Sequence, residues 1–421
     1  MLLSLKVNNC LIYGSEVEFS MRANMHYKRF PNNVANINGV NALKAAVLIG
    51  PNNSGKTNFV RILSMVKEIM LGRSVNVRGN LFSKDSIVAI SISFLEGGIE
   101  NVFEFKYDVE KNEYVYERFA VVTRDEYKNE KPINLLVRDS INKVYFPEEK
   151  GLTTTMRVAA RNNLLIYLID TEEFPSLKKI KDTIVAFASK IDVVDMNNIP
   201  IKKTIDMLKA SEEDHRKIAG FVMNADLYLD DYRYLSDDEV KISLELQAIG
   251  DEKPQENALN AAAPLTEMLH LASVYKGVYV PSMFFDSTGT KKLAALASYI
   301  IDALERGRIL VIDELDNSLH FRLTRAIIAM FNNELNRNAQ LIATVHDISL
   351  LDCQTLFRKE QIWFTHKDQE GVYLYSLAEF TAGKDGVRGT SDLIEKYKKG
   401  VFGALPEPDL FQSLLEVTQG A

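Results

Sequence analysis

Residues Gly50-Pro51-Asn52-Asn53-Ser54-Gly55-Lys56-Thr57 carry the spacing G-x-x-x-x-G-K-[ST]. Glycines at these positions let successive backbone N–H groups curl around phosphate oxygens, and a helix starting directly beneath adds the positive end of its dipole. In that chemistry Lys56 reaches the β- and γ-phosphates of a nucleotide and the Thr57 hydroxyl coordinates Mg2+. Gly50, Asn52, Asn53, Ser54, Gly55, Lys56, Thr57 and Asn58 are therefore candidate nucleotide-binding residues. Their flanks agree with the motif. Ala45-Ala46-Val47-Leu48-Ile49 is continuously apolar, as a strand buried on both faces must be. From about Lys56 onward Phe59, Ile62, Leu63, Val66, Ile69 and Met70 recur at helical spacing.

A second stretch could complete such a site. Arg308-Ile309-Leu310-Val311-Ile312-Asp313-Glu314 runs from four apolar residues into two acids. A buried strand ending in Asp puts a carboxylate at the carboxyl edge of a sheet, where wound α/β folds bind ligands. Asp313 there would hold Mg2+, directly or through water, and Glu314 would polarise an attacking water. On its own a solvated strand end explains two acids equally well, and the pairing with the phosphate loop is what gives them a role.

Other chemistries find little in the chain. The six histidines, His26, His215, His270, His320, His346 and His366, form no H-E-x-x-H or comparable metal spacing. Cys10 and Cys353 stand alone without C-x-x-C, which excludes a disulfide framework or zinc knuckle. No G-x-S-x-G elbow marks a serine hydrolase. The region from 350 onward has Asp352, Asp368, Asp385 and Asp392 but no D-x-D, so a nuclease activity would have to come from another protein. With 50 Lys+Arg against 57 Asp+Glu the net charge is −7, which disfavours a protein whose main task is to coat nucleic acid. Lys291-Lys292 and Lys396-Tyr397-Lys398-Lys399 are local basic spots that read as nucleic-acid contacts or, more simply, as solvated faces and helix-end charges.

The elements that must position these residues follow from patterning. The 421 residues, 46% hydrophobic and 25% charged, suit a large globular chain. The first 20 residues alternate apolar and polar types rather than forming a leader, and nothing approaches the about 18 apolar residues of a membrane span, so a cytoplasmic location is expected. Residues 1–50 read as strands. IVAISISFLEGG and VFEFKYDVEKNEYVYERFAVV, broken at Glu96-Gly97-Gly98 and Glu110-Lys111-Asn112, read as an antiparallel meander. Residues 125–268 read as mostly helical and charged, with helices expected at 162–170 and 175–189 and from Ser211, acidic patches at 230–231 and 236–239, and a polar loop DEKPQENALNAAAP. After 269 come a hairpin-like ASVYKGVYVPSMFF, an apolar helix over 292–305, a strand over 309–312, a helix over 322–335, a strand over 339–344, a helix-like 349–356, and the strand pair QIWFTHK and GVYLYSL. This alternation predicts an α/β fold. Three segments follow: 1–124 with the phosphate loop and meander, a helical insertion at 125–268 acting as lid or docking surface, and 269–421 with the remaining motifs.

On these residues the chain resembles the ATP-binding-cassette (ABC) ATPases of the SMC and recombination-ATPase branch. It looks most like the compact AAA-type ATPases of bacterial defence islands (RloA/AbiLi type). The resemblance covers most of 1–124 and 269–421 and hardly the middle. It is carried further by Asp286-Ser287-Thr288-Gly289-Thr290-Lys291-Lys292, similar to the signature motif; Leu315-Asp316-Asn317-Ser318-Leu319-His320, similar to the D-loop; and Thr344-Val345-His346-Asp347, similar to the switch region. QIWFTHKD, LYSLAEF and VFGALPEPDLF resemble C-terminal stretches of the branch. Read without the family, Ser287 and Gly289 fit a helix cap and His346 a strand-end histidine.

The resemblance implies an ABC-type P-loop ATPase fold with a mixed central sheet and an N-terminal antiparallel β-subdomain. It implies ATP and Mg2+ as ligands and a homodimer or larger homo-oligomer. Ser287, Gly289 and Asp316 would contact nucleotide held by the other subunit, and His346 would bond the γ-phosphate or the attacking water. Residues 85–125 contain no Gln, the residue with which the family senses Mg2+. The function implied is ATP hydrolysis that controls a separately encoded toxin or nuclease in antiviral defence. A DNA-repair ATPase that clamps DNA directly is the alternative, and a transporter motor is disfavoured because no membrane-partner signature is present.

Overall fold

The computed structural model describes residues 1–124, 130–139, 144–145, 160–225, 228–240, 267–388, 390–405 and 417. The chain forms two compact units, Met1–Ser189 with Ile342–Ala421, and Lys190–Leu341.

The first unit begins with β1 (Leu2–Asn8) and β2 (Val17–Ser20), then a small hairpin, β3 (Val34–Ile37) and β4 (Val40–Leu43). The five residues of β5 (Ala45–Ile49) are all buried, as their unbroken apolar run requires, and α1 (Lys56–Met70) follows. The meander is present as β6 (Ile87–Glu96), β7 (Ile99–Asp108) and β8 (Glu113–Arg124), extended by β9 (Glu130–Arg138) and β10 (Val144–Tyr145). Together with β1 and β2 they make a seven-stranded antiparallel sheet in the order β10-β9-β8-β7-β6-β1-β2. The two-residue turn between β6 and β7 needs positive φ at both positions, and Gly97 (φ 57°) and Gly98 (φ 75°) supply it. Alternation along β6 buries Val88, Ile90, Ile92 and Phe94 on one face. There Phe94 stacks on Phe187 of α2 (Pro175–Ala188), with ring centroids 4.1 Å apart.

The second unit opens with β11 (Ile191–Asp195), followed by α3 (Lys202–Ala210) and α4 (Glu212–Ala225). Next come β12 (Asp231–Tyr234), β13 (Leu271–Tyr275) and β14 (Val278–Pro281), an antiparallel sheet of three strands. A short helical turn at Ser282–Phe285 leads into α5 (Thr288–Arg306), then β15 (Ile309–Asp313) and α6 (Phe321–Phe331). Strand β11 runs parallel to β15 with Asp195 opposite Asp313. Ile205 and Leu208 of α3, Ile218 and Val222 of α4, and Ala294 and Ala297 of α5 share one core, with Tyr232 of β12 and Leu271 of β13 closing it.

The chain returns to the first unit along β16 (Gln340–Val345), all of it buried, and continues through β17 (Ile362–Lys367), β18 (Val372–Ser376) and α7 (Leu393–Lys398). Strand β17 is parallel to β5 and antiparallel to β18, so this sheet is mixed. Phe19 of β2 lies against Phe59 of α1 and Trp363 of β17, at 4.8 and 4.9 Å between ring centroids, and locks the antiparallel sheet onto the mixed one.

Several expectations change in detail. The stretch 125–268 is not simply a helical insertion: β9 continues the meander, β11 is built into a sheet, and β12 belongs with β13. The boundary between units accordingly falls at 189/190 and 341/342. The helix expected over 162–170 is a single turn, Leu165–Leu168, and 349–356 holds only a 3-10 turn, Ile348–Leu350, capped by the Asp347 carboxylate. Helix α5 begins earlier than 292 because Ser287 caps it, and α6 stops at Phe331 rather than 335. The loop DEKPQENALNAAAP and the end of VFGALPEPDLF lie outside the described residues. No helix among the described residues is long and apolar enough to cross a membrane.

Candidate functional site

In the first unit, β5 delivers the chain to Gly50 and α1 takes it up at Lys56, with the loop between them folded on itself. The left-handed residues Asn53 (φ 62°) and Gly55 (φ 109°) make the two reversals that let the loop close. Gly50 is required for a different reason: a Cβ there would lie 2.3 Å from the Thr365 backbone oxygen of β17 and 2.3 Å from its Oγ1. The Ser54 hydroxyl is buried, donates to the Pro51 carbonyl at 2.8 Å and pairs with Thr365 Oγ1 at 2.6 Å. Tyr13 donates its phenol to the Gly55 carbonyl at 3.1 Å; burial pushes the proton affinity of that phenol up, which keeps it a donor. The Lys56 ammonium donates to the carbonyls of Gly50 (2.6 Å) and Pro51 (2.9 Å), so the charge arches back over the loop. Asn52 and Asn53 are exposed, while Thr57 and Asn58 are half-buried in the first helical turn. That turn leaves backbone N–H groups without intrahelical acceptors, the property that makes a helix start an anion site. Thr365 and Tyr13, which fix the loop from beneath, have no signal in the sequence.

In the second unit, β15 buries all five of its residues and ends at Asp313, 6% exposed. The Asp313 carbonyl accepts Met196 N–H at 3.1 Å, just past the end of β11. Glu314 then takes a left-handed backbone (φ 58°), uncommon for a residue with a long side chain and typical of functional sites. Its Oε2 accepts from Asn197 Nδ2 at 2.9 Å and from Asn317 Nδ2 at 3.1 Å. Asn317 N–H donates to the Glu314 carbonyl at 2.8 Å, and Ser318 is again left-handed (φ 66°), so 314–319 form a tight looped segment holding half-buried Asp316.

Ser287 is the N-cap of α5, its Oγ accepting from Thr290 N–H at 3.1 Å. The residue before it is fixed from β13: the buried Asp286 carboxylate accepts from Ser273 Oγ at 2.6 Å and Tyr275 OH at 3.1 Å. Gly289 meets the Ser318 carbonyl, and a Cβ would lie 2.7 Å from it. Lys292 Nζ donates to Ser318 Oγ at 3.3 Å and Lys291 Nζ to the Met283 carbonyl at 2.8 Å, so both lysines are engaged within the chain. The fold thus brings Ser287 and Gly289 beside the segment that carries Glu314 and Asp316, all within one unit. His346 is exposed at the end of β16 and belongs, with the phosphate loop, to the other. Among the described residues no group of three or more His, Cys, Asp or Glu is arranged to hold a metal ion by itself.

No curated protein matches the chain. Among solved structures it is similar to the SMC head domain from Thermotoga maritima, with 12% identity, 89% of this chain and 98% of that one covered, and a TM-score of 0.42. It is also similar to the SmcHead bound to the C-winged helix domain of ScpA, with 13% identity, coverages of 89% and 97%, and a TM-score of 0.46. A family model described as "AAA domain, putative AbiEii toxin, Type IV TA system" matches residues 45–352, a span that includes the phosphate loop, Asp313, Glu314 and His346. Since that match takes in well over half of the 421 residues, the chain belongs to this AAA-domain family.

Proposed function

We propose that the protein binds and hydrolyses ATP, that two copies close around the nucleotide, and that the closed assembly controls a separately encoded toxin or nuclease in antiviral defence. The observation that carries the nucleotide reading is the phosphate loop, a buried strand passing through two left-handed residues into a 15-residue helix with Lys56 at its first position. Backbone N–H groups of residues 53–57 would cradle the phosphates, and Lys56 would exchange its loop carbonyls for β- and γ-phosphate oxygens.

The Thr57 hydroxyl and the Asp313 carboxylate are hard oxygen donors of the kind Mg2+ prefers, and these two residues would hold it. Bound there, Mg2+ would offset charge on the phosphate oxygens. Glu314 would accept a proton from the attacking water, and His346 would bond the γ-phosphate or that water. Ser287, Gly289 and Asp316 of the second copy would complete the site at the start of α5, again a helix N-terminus facing an anion. Because the γ-phosphate would touch both copies, its loss would open the assembly.

The effector reading is supported by the family description, which names a toxin and a Type IV toxin–antitoxin system. The acidic segment around Ser236-Asp237-Asp238-Glu239 suits a protein partner better than a nucleic-acid track.

Two variants test the reading. Lys56→Ala should remove ATP binding in an equilibrium titration, and unchanged affinity would refute the phosphate-loop assignment. Glu314→Gln should abolish turnover yet accumulate an ATP-bound dimer in light scattering, and wild-type turnover in that variant would refute the base.

A further inference from the structure

We infer that Asn197, a residue outside every motif, is the positioning residue of the Glu314 carboxylate; the inference rests on the proposed role of Glu314 as base. Strand β11 lies parallel to β15, so the chain leaves both strands at the same edge, with Asp195 level with Asp313. It then turns sharply. The Asp195 carboxylate accepts Asn197 N–H at 2.8 Å and the Asp195 carbonyl accepts Asn198 N–H at 2.9 Å, a local Asp turn that fixes where Asn197 projects.

From there Asn197 Nδ2 donates to Glu314 Oε2 at 2.9 Å, while Asn197 Oδ1 accepts from Asn317 Nδ2 at 2.8 Å. The Asn317 donation dictates which way the Asn197 amide faces: its oxygen is taken by Asn317, so its nitrogen must point at the carboxylate. Asn317 also reaches the same Oε2 at 3.1 Å. Two amides, 120 residues apart in the chain, therefore converge on one oxygen and orient the carboxylate plane.

Glu314 thus receives one amide donor from its own segment, Asn317, and a second, Asn197, from the turn after β11. Ordering it before the reaction is the kind of pre-organisation whose loss by about 1 Å slows an enzyme on the order of 100-fold. Asn197 is itself exposed, so its truncation opens no core. A purely architectural residue at such a position would show little effect on the rate, and what effect it had would be independent of Glu314.

The test is single-turnover ATP hydrolysis by the full chain with Mg2+, in a double-mutant cycle of Asn197→Ala with Glu314→Gln. Asn197→Ala should slow hydrolysis roughly 10- to 100-fold while leaving nucleotide affinity within about twofold and the melting temperature unchanged. Against the small residual single-turnover rate left when Glu314→Gln has abolished steady-state turnover, it should add no further loss, because both substitutions act through one carboxylate. Asn197→Asp, equal in size but without the amide donor, should be as slow as Asn197→Ala, and both should shift the wild-type chain toward the ATP-trapped dimer. A wild-type rate in Asn197→Ala, or the same fold-loss in both backgrounds, overturns the inference. Wild-type hydrolysis by Glu314→Gln alone instead refutes the base itself, so the two failures are distinct.

Discussion

Replacing Gly50 by alanine should damage both the stability of the first unit and its phosphate loop, and the size of the effect follows from the packing. The added Cβ would lie 2.3 Å from the Thr365 carbonyl oxygen, about 1 Å inside an ordinary van der Waals contact, and 2.8 Å from Ser54 Oγ. The Thr365 oxygen is main chain in a strand whose neighbour Phe364 is in register with Ile49, so it cannot swing aside as a side chain would. Overpacking of this kind costs about 1–3 kcal/mol. Relief by moving the loop would also break the 2.6 Å hydrogen bond between Ser54 and Thr365, worth about 1 kcal/mol net and more because both hydroxyls are buried. The sum, about 2–4 kcal/mol, corresponds to roughly 5–15 °C in melting temperature for a unit of this size. Scanning calorimetry and denaturant titration measure it, with Ser54→Ala as the control that loses the Ser54 hydrogen bonds to Thr365 and Pro51 without adding a Cβ at position 50. Nucleotide affinity should fall at least about tenfold, since the loop must shift by a sizeable part of that 1 Å overlap. A Gly50→Ala protein with wild-type melting temperature and wild-type ATP affinity would refute the packing argument.

Further outcomes follow from other contacts. Gly289→Ala places a Cβ 2.7 Å from the Ser318 carbonyl, and should cost about 1–3 kcal/mol of stability in the second unit by denaturant titration. Glu117 and Arg138 are paired with each side chain 1% exposed, and Glu117 also accepts Leu165 N–H at 2.9 Å. Glu117→Ala strands a buried guanidinium and should destabilise the first unit by about 3–5 kcal/mol, whereas breaking the solvent-exposed pair Lys178–Glu172 should leave the denaturation midpoint nearly unchanged. Burial pushes the thiols of Cys10 and Cys353 up to about 12, so each stays protonated far above the ordinary thiol range. Neither should react with a thiol reagent at pH 8 in the folded chain, and both should in guanidinium; rapid alkylation of the native protein would contradict their burial.

What the sequence determined by itself was the chemistry whose parts are near one another along the chain. The phosphate loop is legible because strand, turn and helix occupy 26 consecutive residues and the spacing of Gly50, Gly55, Lys56 and Thr57 is the mechanism. The apolar run into Asp313 and the meander with its Gly97-Gly98 turn were legible for the same reason: each is a local pattern with a local cause. Tertiary structure alone decided the supports. Thr365 under Gly50, Tyr13 on Gly55, Ser318 against Gly289 and Asn197 on Glu314 join segments far apart in sequence, and nothing in the composition of either partner announces the other. The strand Ile191–Asp195 was hidden in an apparently helical stretch because five residues between charged helices carry no distinctive period. Only pairing with β15 makes it a strand, and only that pairing brings Asn197 to the acidic end of the sheet.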